Sequence, residues 1–201
     1  MIDIERYSKL KEEYGHVSSW TIWGKPTSGI KSNVYDLSIF EDENICNKLN
    51  DKYVFVGFNG SSTHGNQDDE PWKNFHSSYK HQNDYKLRYA LTNTKFWGSY
   101  ITDVIKVFKG NREESKEIST KIMMSKLKKH PEVVDENIEI FKNELNILSD
   151  EKPILIALGN HSHDLLKRNL DGYDIYKIKH YSNWGGPEKY KEEVCPILKK
   201  I

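Results

Sequence analysis

The sequence predicts an α/β domain built as a three-layer α/β/α sandwich around a mainly parallel sheet, and three observations carry that expectation. Residues 53–58, 100–107 and 153–158 are predominantly apolar runs rather than alternating ones, as expected of strands covered on both faces. Helical periodicity fills 112–129 and 132–148, between the second and third of these runs. Strands that alternate with helices belong to sheets whose helices lie on both faces.

The remaining elements follow in chain order. Residues 2–14 have amphipathic helical spacing, closed by Gly15, and 19–23 suit a short strand. A stretch rich in Gly, Pro and Ser, 24–32, forms a turn, and 44–49 allow one helical turn before the first strong strand. Pro131, after His130, separates the two central helices, because proline cannot continue a helix that reaches it. A last strand is expected at 174–178, and a closing helix begins near Pro187, where proline suits the first turn. At 201 residues, one domain over 1–201 is the expectation, with 1–50 packed on it as an N-terminal extension.

Composition narrows the function. Thirty basic and thirty acidic side chains leave no net charge, so any contact with nucleic acid has to be local. Cys46 and Cys195 lie far apart, without the spacing of a disulfide framework, a thiolate zinc site or an iron-sulfur cluster. No apolar run approaches the ~20 residues of a membrane span. A cytoplasmic protein without membrane attachment is the expectation.

In parallel sheets ligands sit where loops leave the carboxyl ends of the strands. The segments of interest are therefore 57–63, 106–112, 159–163 and 180–184. Gly57-Phe58-Asn59-Gly60-Ser61 follows the first strand. The second reads Tyr100-Ile101-Thr102-Asp103-Val104-Ile105-Lys106 and continues through Lys109-Gly110-Asn111-Arg112; His180-Tyr181-Ser182 follows the last. In that order, with Ile154-Leu155-Ile156-Ala157-Leu158-Gly159 between the last two, these segments resemble the uracil-DNA glycosylase superfamily. The resemblance spans 52–193, and the middle segment is most similar to the branch that carries an iron-sulfur cluster, whose cysteines this chain lacks.

The resemblance implies hydrolysis of the N-glycosidic bond of uracil or another damaged base in DNA, by a monomer without metal or organic cofactor. Such chemistry needs a flipped-out base, a positioned water and stabilisation of charge developing on the departing base. Asn59 matches the water-positioning place, and His180 matches the histidine that donates to the leaving base. Gly57, Phe58 and Gly60 line the first motif, and Phe75 or Trp72 is placed to stack on the base. Ser61, Ser62, Ser182 and Asn183 are positioned for phosphates, with Lys106, Lys109 and Arg112 extending the track. Trp184 lies where family members insert side chains into the duplex.

Two departures change the expectation. Gly60 stands where the family commonly has proline, which leaves that loop freer. Asp103 replaces the asparagine that reads uracil, and an ionised carboxylate offers acceptors only, so the base chosen could instead carry an exocyclic amine, as cytosine or adenine does.

Two rival functions fit parts of the sequence. His161 and His163, with His64, His76, His81 and His180 elsewhere, allow a metal-dependent hydrolase, although no zincin-type spacing occurs; alternatively Ser162 caps a helix running to Leu170 with the two histidines near its first turn. A non-catalytic module that binds nucleic acid or protein on the same scaffold is the other. No Gly-Lys-Ser/Thr follows the first motif, and no dinucleotide fingerprint or Gly-x-Ser-x-Gly elbow is present, which disfavours nucleotide-cofactor enzymes and leaves a serine hydrolase without its elbow.

Overall fold

The computed structural model describes residues 2–60, 70–77, 82–108 and 119–201. In chain order its elements are α1 (Ile4–Tyr14), β1 (Ser18–Trp20), β2 (Asn50–Asn59), α2 (Asp84–Leu91), β3 (Ser99–Ile105), α3 (Thr120–Lys129), α4 (Pro131–Leu148), β4 (Ile154–Leu158), α5 (Asn160–Asn169), β5 (Ile175–Ile178) and α6 (Pro187–Leu198). Short 3-10 turns occupy Ser38–Glu41 and Ile45–Lys48.

The five strands form one sheet in the order β1-β3-β2-β4-β5, parallel throughout except for the antiparallel edge strand β1. Each central strand divides its side chains between two cores, as double-sided burial requires. Val54, Val56 and Phe58 join Tyr100, Val104, Leu155 and Ala157 beneath α1, α3, α4 and α5. Phe55, Ile101, Ile156 and Leu158 face the other way, against α2 and α6. The three-layer α/β arrangement expected from the apolar runs is therefore present.

Most boundaries agree with the periodicity to within a few residues. Asp3 caps α1 by accepting the Arg6 N–H at 2.8 Å, and Pro131 opens α4 at its first turn. The expected strand at 19–23 is shorter, because after Trp20 the chain turns tightly, with Ile22 N–H donating to Trp20 O at 2.8 Å. The expected helix at 112–129 is described only from Thr120, its earlier part lying outside the described residues. The N-terminal stretch is not a separate layer, since β1 joins the sheet edge and α1 packs on α4.

One helix was not foreseen. α2 buries Tyr85, Leu87, Ala90 and Leu91 but also Asp84, Lys86 and Arg88, so no polar stripe marks a 3.6-residue period. Its charges are consumed locally. The Arg88 guanidinium donates to the carbonyls of Gly24, Ile30 and Ser32, which pins the turn at 24–32 onto the helix.

A second buried polar network joins the sheet to the α4 layer. Glu144 lies wholly inside; Oε1 accepts from the Tyr100 hydroxyl and from Thr102 Oγ1, both at 2.9 Å, and Oε2 pairs with Lys106 Nζ at 2.7 Å. Removing one partner leaves an uncompensated buried charge, whereas replacing both with apolar groups does not. Glu144→Ala is therefore expected to lower stability by about 3–5 kcal/mol in urea unfolding, and Glu144→Leu combined with Lys106→Met by much less. Equal losses in the two variants would count against the network's role.

Candidate functional site

Among the four parallel strands, β3 follows β2 outward on one side while β4 and β5 follow on the other, so the strand order reverses between β2 and β4. Ligands of doubly wound sheets bind in the crevice at the carboxyl ends beside such a reversal. Asn59 ends β2, Gly159 follows β4, and His180 lies just beyond β5.

Asp103 on β3 is paired in register with Gly57 on β2. A side chain at Gly57 would put its Cβ 2.0 Å from Asp103 Oδ1, and one at Gly60 would put it 3.4 Å from Oδ2. The carboxyl thus rests on bare β2 backbone, only 6% exposed. Burial drives its pKa up to about 7, with Glu144 adding to the rise, while Lys106 and the hydrogen bond from Asn74 oppose it. A carboxyl with that pKa spends much of its time protonated at neutral pH, offering one donor and one acceptor.

Asn74 reaches Asp103 from a strained segment. Trp72 and Phe75 on either side adopt φ of +69° and +66°, left-handed values that cost non-glycine residues about 1–3 kcal/mol each. Burial holds them there. Trp72 is 1% exposed, donates from Nε1 to the Tyr7 hydroxyl at 2.9 Å and packs edge-on to Trp20. Phe75 is buried against the α2 side, and its carbonyl accepts from Trp23 Nε1 at 3.1 Å. Both aromatic rings expected to stack on a base are core residues. Their packing instead presents Asn74, which sequence reasoning missed because only the fold brings it to Asp103.

His180 is half-buried, and its ring environment is well defined. The Ser182 backbone N–H donates to Nδ1 at 3.1 Å, and the Ser182 hydroxyl lies 2.8 Å from the same nitrogen. A nitrogen that accepts an amide proton carries none of its own, so the neutral ring bears its proton on Nε2. Burial lowers the pKa to about 4, which keeps the imidazole neutral at physiological pH. Its Cβ lies 3.6 Å from the place a side chain on Gly159 would occupy, and Gly159 has φ of +95°. Asn59 is buried at the end of β2, and its Oδ1 accepts from Thr120 Oγ1 at 2.9 Å, which orients the amide.

Beside the strand ends, an open groove of about 630 Å³ is lined by Ser182, Asn183, Trp184, Lys86 and Lys189, among others. Trp184 is 89% exposed, with Lys189 Nζ 5.2 Å above its ring, and Lys86 Nζ donates to Asn183 O at 3.0 Å.

Several sequence expectations are corrected. Lys106 is not part of a surface phosphate track, being buried with its ammonium on Glu144. Phe58 points into the opposite core, its ring 5.6 Å from His161, so only its backbone borders the Asp103 side. Residues i and i+2 of a helix project about 200° apart, so His161 and His163 in the first turn of α5 diverge and do not form a chelating pair. Ser162 does not cap that helix; Gly159 occupies the cap position and Ser162 is buried within the first turn. His76 is buried between the carbonyls of Val34 and Trp20, each 3.3 Å from a ring nitrogen. No group of three or more His, Cys, Asp and Glu side chains arranged to hold a metal occurs among the described residues. Ser61, Ser62, His64, His81, Lys109 and Arg112 lie outside them. No described helix is long and apolar enough to cross a membrane.

The Gly57–Asp103 contact gives a direct test. Gly57→Ala overpacks the strand end and should cost about 1–3 kcal/mol, and Asp103→Ala in the same chain should recover most of it. Additive losses in a double-mutant cycle, read by thermal unfolding, would mean that the two positions do not touch. Comparison of the chain with protein-family models, curated proteins and solved structures finds no match.

Proposed function

We propose that the protein is a DNA glycosylase-like hydrolase that releases uracil or a related damaged base. The observation that carries this reading is His180, a neutral imidazole with its proton on Nε2, held just beyond β5 against the Gly159 backbone that follows β4. When the C1′–N bond breaks, its electron pair goes to the base, and a neutral N–H donor stabilises the negative charge on the base oxygen. Water held by Asn59 then adds to C1′, and the proton it loses completes the released base.

Asp103 supports the same reading. In its protonated form the carboxyl matches an imide edge, giving a donor to a carbonyl oxygen and an acceptor to a ring N–H, as an asparagine amide would. The departure from the family pattern is thereby softened by burial. The groove around Trp184, with Lys189 at its edge, suits an unstacked nucleotide and its phosphate. The same groove would serve a non-catalytic module, which base release separates from an enzyme.

The experiment is release of free base from single- and double-stranded oligonucleotides containing uracil, hypoxanthine or xanthine, or a mismatch. Asn59→Ala and His180→Ala should each reduce release by about 100-fold or more. Retained activity in both variants, or binding of oligonucleotide by folded wild type without base release, would refute the assignment.

A pH profile tests Asp103. Its donor is lost as the carboxyl ionises above about 7, so uracil release should fall about tenfold for each further pH unit, and Asp103→Asn should flatten that limb. His180 is already neutral across this range and adds nothing to it.

A further inference from the structure

Asp84 belongs to none of the motifs above and Tyr181 stands in one of them without an assigned role, yet together they connect three chain segments near His180. Asp84 opens α2 and is buried, and its Oδ2 accepts the Ser77 N–H at 3.1 Å. The Tyr181 hydroxyl is hydrogen-bonded to the same carboxyl. Tyr181 follows His180 directly, and the two rings stack with centroids 4.5 Å apart and planes 24° from parallel. The chain turns here, the Asn183 N–H donating to His180 O at 3.1 Å, and the turn brings the two neighbouring rings face to face.

The contacts on the imidazole divide the task. Ser182 fixes its Nδ1 edge, the bare backbone at Gly159 admits its Cβ, and the phenol ring covers one face. The phenol hydroxyl is anchored on the Asp84 carboxyl. Tyr181 also packs into the core beside α6, which limits its own rotation.

We infer that Asp84 and Tyr181 are positioning residues for His180, the carboxyl anchoring the phenol and the phenol setting the plane in which the imidazole meets Ser182. Neither touches the reacting atoms. The catalytic value of this arrangement rests on the function proposed above, but the positioning itself does not.

The test uses the full chain, labelled with 15N, and reads the His180 ring by two-bond 1H–15N spectra over an acid titration. Wild type should show a single tautomer with the proton on Nε2 and a midpoint near 4. Tyr181→Phe keeps the ring but removes the tether, and Asp84→Leu removes the anchor. In both, the ring signals should move toward averaged tautomers and the midpoint should rise by about one pH unit or more toward the ordinary histidine value. Asp84→Asn keeps an acceptor for the phenol and should retain the wild-type pattern. Tyr181→Phe is the conservative variant should Asp84→Leu fail to fold. An unchanged tautomer and midpoint in folded Tyr181→Phe would overturn the inference, as would loss of the pattern in Asp84→Asn. If wild type releases no base, the functional reading fails while the ring measurement still decides the positioning.

Discussion

The contact on which the site depends is the seating of the Asp103 carboxyl against the backbone of Gly57. Two parallel strands bring the residues into register, and only the absence of a side chain on β2 leaves room for the carboxyl on β3. Much else follows from that seat. The carboxyl is withdrawn from water, so its proton is held more tightly, and Asn74 is needed to satisfy it. Asn74 is in turn supplied by a segment whose two aromatic neighbours are buried in left-handed conformations. A packing requirement at one strand position thus reaches into the loop from 70 to 77 and, through Trp72 and Tyr7, as far as α1.

One cause acts in opposite directions on the ionisable groups near the sheet. Desolvation favours whichever form is uncharged. It raises Asp84 to about 6 and Asp103 to about 7, and lowers His76 and His180 to about 4. Between about pH 4 and pH 6.5 the folded histidines bind fewer protons than unfolded ones, so they add stability as pH rises. The folded aspartates bind more protons than unfolded ones from about pH 4 up to 6 or 7, and so subtract stability across most of the same interval. At neutral pH the two histidines are consequently uncharged and the Asp103 carboxyl is shared between its protonated and ionised forms, so these groups meet their surroundings largely through hydrogen bonds.

The fold was legible where burial coincides with hydrophobicity. β4 and the 53–58 part of β2 stand out as unbroken runs without polar residues, β3 as a largely apolar run broken at Thr102 and Asp103, and α4 and α6 announce themselves by periodicity or an opening proline. α2 was illegible because its buried face includes Asp84, Lys86 and Arg88, whose charges are matched by backbone carbonyls and loop groups distant in sequence. Within the site, the strand-end positions of Asn59, Asp103 and His180 followed from the placement of the strands. Trp72 and Phe75 misled, since an aromatic residue in a loop has the same composition signal whether it stacks on a ligand or fills a core. Asn74 and Asp84 carried no signal, and Tyr181 stood in a motif without a role, the importance of all three arising from contacts that only the fold shows.

Two glycines have a shared consequence. Gly57 lies under Asp103 and Gly159 under His180, so the floor beneath both polar groups is peptide backbone. At the first, any side chain meets the carboxyl; at the second, the left-handed backbone itself resists one. Such a floor cannot be re-tailored by exchanging side chains, which leaves variation to the rim, where Ser182, Asn183 and Trp184 are open to solvent.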